Sequence, residues 1–78
     1  MPRLPGDCSG QKLARALESF GYHVVRQRGS HIRLHSDKYD HSITIPDHNV
    51  IRIGTLNSIL NDVTTRTGVT RQSLIDAL

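Results

Sequence analysis

Aromatic side chains are scarce in this chain of 78 residues: there is no tryptophan, one phenylalanine and two tyrosines. Aliphatic residues must therefore build the core, and a chain this short has a small one. The single cysteine, Cys8, excludes an intramolecular disulfide and a cysteine-based zinc site. No apolar run is long enough to span a bilayer. The opening residues, Met1 to Pro5, lack the apolar region of a signal peptide, so a cytoplasmic location is expected. Acidic residues number seven against ten basic ones, a formal net charge of +3, with a pI near 9.6. That balance favours an anionic partner. With no internal repeat, linker or low-complexity segment, residues 1–78 read as one domain.

Pro2, Pro5 and Gly6 set a loose arm over residues 1–8. Ser9 is placed to cap a first helix over about 10–20, with Leu13, Ala16, Leu17 and Phe20 at helical spacing and Gly21 at its end. Strands are expected at about 22–27, 30–35 and 41–46, the last two separated by the turn-like Ser36 to Asp40. Pro46 ends the third strand or lies on an edge, because it has no N–H to give a ladder. Residues 47–54 read as a loop. A helix follows over about 55–66, where Leu56, Ile59, Leu60 and Val63 occupy one face and Gly68 stops it. Thr70 can cap a short last helix within 69–78 that carries Leu74, Ile75 and Leu78. The order α-β-β-β-α-α predicts an α+β fold, a three-stranded antiparallel sheet with helices on one face.

The stretch Arg26-Gln27-Arg28-Gly29-Ser30-His31 joins the first two strands. A two-residue turn at Arg28-Gly29 suits a hairpin, because Gly accepts the positive φ of such turns. It places Arg26 beside His31, unless a bulge at Gly29 breaks that register. Alternation then sends Ile32 and Leu34 to one face and His31, Arg33 and His35 to the other. In the third strand Ile43 and Ile45 oppose Ser42 and Thr44. The shared face requires Leu34 to pair with Ile43 or with a residue two away from it; pairing with Ile43 puts Arg33 opposite Thr44, His35 opposite Ser42 and His31 near Pro46. The open face is then polar and basic.

Histidine serves as acid and base near neutrality, and fixed positive charge suits a phosphodiester. His31 with Arg26, Arg28 and Arg33 thus points to a small enzyme acting on nucleic acid, although the pattern by itself leaves His31 balanced between that role and a solvated residue. His23, His35 and His41 read as solvated polar residues, and Asp47 and His48 as turn residues. Ser30 and His31 point to opposite faces and make no nucleophile pair. His31 and His35 are roughly 13 Å apart along a strand, too far to share an ion. No metal and no cofactor are expected.

Taken together, Ser9-Gly10, Gly21-Tyr22, Arg26 to His31, Thr44-Ile45-Pro46-Asp47-His48, Gly54-Thr55-Leu56 and Ser58-Ile59-Leu60 resemble the HicA (YcfA-like) mRNA interferase toxins in order and spacing. The resemblance implies a double-stranded-RNA-binding-domain-like fold and metal-independent RNA cleavage as a toxin. Its essential residue is the Gly-Ser-His histidine, here His31. Ile32 follows where family members often carry a polar residue, and 61–78 is more elaborate than their usual ending. The resemblance also implies an mRNA substrate and a HicB-like antitoxin that covers the active face, the free toxin being a monomer. Beside the resemblance, the charge pattern makes Arg26, Arg28 and Arg33 the RNA-binding residues and Gly29 the structural turn, and the loop position makes His48 a secondary acid–base candidate. A non-catalytic RNA-binding module and an inactive toxin remnant are the alternatives.

Overall fold

The computed structural model describes residues 6–78. Its elements run α1 (Gly10–Glu18), β1 (His23–Arg28), β2 (His31–Ser36), β3 (His41–Pro46), α2 (Ile53–Thr67) and α3 (Arg71–Asp76). The strands form one antiparallel sheet in the order β1-β2-β3. Leu13 and Leu17 of α1, Leu56, Leu60 and Val63 of α2 and Leu74 of α3 form a single buried cluster with Ile32, Leu34, Ile43 and Ile45 of the sheet. This is the α+β layout that the hydrophobic pattern predicts. Among the described residues it leaves the other face of the sheet without a helix.

Local chemistry sets most of the boundaries. The Ser9 hydroxyl accepts the Lys12 N–H at 3.1 Å and starts α1. At the other end Gly21 takes φ +96°, and the Tyr22 and Gly21 N–H groups donate back to the Leu17 and Glu18 carbonyls at 3.2 and 3.4 Å. That paired closure ends the regular helix at Glu18, two residues before the spacing suggested, and sends Tyr22 into the core. Helix α2 starts two residues earlier than expected, at Ile53, and ends at Gly68 with φ +77°. In α3 the Thr70 side chain accepts from the Ser73 N–H, while Arg71 donates to Asn57 and Asn61 of α2. The last helix is thereby fastened over the core.

Residues 1–5 of the expected N-terminal arm lie outside the described residues. Cys8, at its end, is fully buried, and its carbonyl accepts the Ile51 N–H at 2.8 Å. Ile51, read as loop, joins the same core. Burial raises the Cys8 thiol above its ordinary range, which keeps it protonated and unreactive at neutral pH.

One polar network runs through this core. His41, expected as a solvated residue, is buried instead. It shares the odd-numbered, core-facing parity of Ile43 and Ile45. Its Nε2 lies 3.3 Å from Asp62 Oδ2 and its Nδ1 lies 2.7 Å from the Tyr22 hydroxyl. A carboxylate only accepts, so Nε2 carries a hydrogen, and in the neutral imidazole that tautomer leaves Nδ1 to accept from the tyrosine. Burial, and then the Asp62 charge, push the Tyr22 hydroxyl above its ordinary value of 10.0.

Tyr22→Phe should destabilise the fold by about 1–3 kcal/mol, because His41 then keeps a buried acceptor without a donor. The pH dependence follows from the same bond. The folded chain holds the phenolic proton more tightly than the unfolded chain does. That stabilisation is complete below the unfolded tyrosine pKa and is lost as pH rises through the higher folded value. Chemical denaturation at stepped pH should therefore show a flatter alkaline limb for Tyr22→Phe than for the wild type. Parallel limbs would show that Tyr22 does not titrate with folding.

Candidate functional site

The open face is assembled from the hairpin upward. Gly29, with φ +57°, takes the first of two turn positions and Ser30 the second, as a turn with positive φ at its first central residue demands. The turn thus lies one residue later than the Arg28-Gly29 expected from the sequence. Arg28, not Arg26, is the register partner of His31, and Arg26 pairs with Arg33. Further along β1 the register shifts between Val24 and Arg26. This bulge brings His23 opposite His35, with the two rings edge to face at 6.1 Å. Strand β1 is exposed along its whole length as an edge strand.

Pairing of β2 with β3 follows the expected register: His31↔Pro46, Arg33↔Thr44, Leu34↔Ile43 and His35↔Ser42. Burial of one face excludes a slip by one residue, which would turn Ile43 and Ile45 out of the core.

Arg26, Arg28, His31, Arg33 and Thr44 line one open hollow of about 240 Å³. His31 and the three candidate arginines of the hairpin therefore meet there, while Gly29 makes the turn beside them. The three arginines share this hollow although none pairs with a carboxylate among the described residues. Clustered cations without counter-charge repel one another, and an anion such as a phosphate relieves that repulsion. Arg33 is held in place by its Nη1, which donates to Thr44 Oγ1 at 3.2 Å. Thr44 is a site residue that the sequence reading missed; its register position opposite Arg33 is the signal that could have found it.

The loop after β3 braces this hairpin. The Asp47 N–H donates to the Ser30 carbonyl at 2.7 Å. Its carboxylate accepts from Gln11 of α1 at 3.1 Å and from Gln27 of β1 at 2.9 Å. Asp47 is thus a clamp between helix, hairpin and loop, which is more than the turn residue the sequence suggested. The carbonyl of His48 accepts the Gly10 N–H at 3.0 Å, and its side chain is exposed but does not line the hollow.

At the far end of the open face His35 is half-buried instead of freely solvated, its Nδ1 2.7 Å from Ser42 Oγ and its Nε2 3.3 Å from Asp37 Oδ1. Among the described residues no group of three or more His, Cys, Asp or Glu is placed to hold a metal ion, and no helix is long and apolar enough to cross a membrane.

No curated protein and no solved structure matches the chain. The family described as HicA toxin of bacterial toxin–antitoxin matches residues 10–64, which include the hairpin, the hollow and the clamp but not α3. With more than half of its length matched, the chain belongs to the HicA toxin family, the toxin member of a toxin–antitoxin pair.

Proposed function

We propose that this toxin is a metal-independent endoribonuclease that cuts mRNA in the hollow around His31. The observation that supports this best is that three arginines, none of them ion-paired among the described residues, line one hollow with a solvent-open histidine. The guanidinium forks bind a phosphodiester, and His31 takes the proton from the neighbouring ribose 2′-hydroxyl. The 2′-oxygen then bonds to phosphorus, the bond from phosphorus to the 5′-oxygen breaks, and the leaving oxygen takes up a proton. Arg26, Arg28 and Arg33 stabilise the charge that builds on the phosphorane. His48 is the secondary candidate for supplying the proton, because its loop is tied to the hairpin turn through Asp47 and Ser30. Among the described residues three cations and no carboxylate line the hollow, an arrangement that disfavours a divalent ion there. A HicB-like antitoxin silences the toxin by covering this face. Acidic groups on it complement the arginines and speed association.

The test is cleavage of a single-stranded RNA by the purified chain in excess EDTA. Products with 2′,3′-cyclic phosphate and 5′-hydroxyl ends are expected. Activity lost on chelation and restored by a divalent ion would overturn the mechanism. RNA bound but never cut would make the chain a binding module.

A further inference from the structure

The carboxylate of Asp62 is aimed by partners that the cleavage reading leaves unused. Asp62 lies on α2 and is more than half exposed, so solvation alone would satisfy it. It is nonetheless held from below by buried His41, itself fixed by the buried Tyr22 hydroxyl. Three separate parts of the chain thus converge to hold one acceptor at the surface.

In front of it lies a second open groove of about 360 Å³, between β3 and α2. Ser42, Thr44 and Ser58 offer hydroxyls there, Ile59 an apolar wall, and Asp62 the only carboxylate among the lining residues. Arg33 and Thr44 line both this groove and the hollow of His31, so the two adjoin. The groove is of a size for one small planar ligand and combines an apolar wall with a few polar groups, as ligand sites do.

We propose that this groove takes the base of a nucleotide flanking the phosphate held at His31, and that Asp62 selects guanine there; the inference rests on the RNA-cleaving reading. A carboxylate only accepts hydrogen bonds. Guanine presents two adjacent donors, N1–H and the 2-amino group, to its two oxygens. Adenine and cytosine each offer an amino group beside an acceptor nitrogen. Uracil sets its N3–H between two carbonyl oxygens, which a carboxylate repels. His41 occupies one of the roughly four lone-pair sites of Asp62, which leaves sites for the base. Unstacked RNA bases are read in this way, by hydrogen bonds to the Watson–Crick edge and stacking on an arginine plane. Arg33, oriented by Thr44 between the two hollows, supplies that plane.

Cleavage sites should be mapped by end sequencing on a mixed-sequence single-stranded RNA, for wild type, Asp62→Asn and Ser58→Leu. Wild-type cuts should favour guanine at one flanking position by roughly tenfold, the scale of one bidentate base contact. Asp62→Asn, which adds a donor where only acceptors stood, should lose that preference while the RNA is still cut. Ser58 is exposed on α2, so Ser58→Leu obstructs the groove from the surface and should lose the preference as well, even if Asp62→Asn loosens the contact with His41. Wild-type RNA left intact would overturn the cleavage reading and this inference with it. Cutting with a base distribution unchanged by both substitutions would overturn the base assignment alone.

Discussion

His31→Ala should abolish RNA cleavage and growth arrest while the protein stays folded. His31 is exposed at the start of β2, its register partners are Arg28 and Pro46, and it stands outside the buried cluster that holds the fold together. Surface substitutions of this kind change stability by no more than about 0.5 kcal/mol. Loss of a general acid or base lowers the rate by about 10²-fold to 10⁴-fold. Thermal melts should therefore overlay while RNA cleavage falls by at least about 10²-fold. Full activity in a folded His31→Ala protein would remove the histidine from the mechanism. RNA binding should survive, since the arginines that hold phosphate remain; a variant that neither binds nor cuts would instead give His31 a place in the binding surface.

The largest stability effect is expected at a residue with no side chain. Gly10 opens α1 where the chain passes over the end of β3. A Cβ at this position would fall inside contact distance of the Pro46 carbonyl oxygen and stand 3.0 Å from Asp47 Cα. Both obstacles are backbone, so no rotamer change relieves them. Asp47 is also bonded to Ser30, Gln11 and Gln27, and His48 to Gly10 itself, so the loop has little room to retreat. Gly10→Ala should destabilise by about 3 kcal/mol, the upper end of ordinary overpacking. In a domain this small that corresponds to a melting point lower by roughly 15 °C. Gly54 provides the contrast: it lies in α2, and a methyl group there would meet nothing within 4 Å. Gly54→Ala should be neutral or stabilising by up to about 1 kcal/mol, through helix propensity. Equal melting points for Gly10→Ala and the wild type would show that α1 is free to move away from β3.

Element order and the inward faces of β2 and β3 were determined by the sequence, because the signals are local or enforced by burial. Ser9, Gly21, Gly68 and Thr70 act on their own neighbours, so their spacing marks the helix ends. Ile32 and Leu34 face Ile43 and Ile45 across two strands of period two, which commits all four to the core face and limits the register to steps of two residues, among which the tertiary structure selects Leu34↔Ile43. Strand β1 has no such constraint. Exposed on both faces as an edge, it takes a register set by the Gly29 turn and the bulge near Val25, which no burial pattern announces. The tertiary structure also decided what lies behind and beside the site. The Tyr22–His41–Asp62 chain joins residues 19 and 21 positions apart, and the parity of His41 hints at its burial but not at its partners. The Asp47 clamp joins α1, β1 and the loop across 36 and 20 positions. Contacts of that range depend on how helices settle on the sheet, which composition and periodicity constrain only to a choice of face.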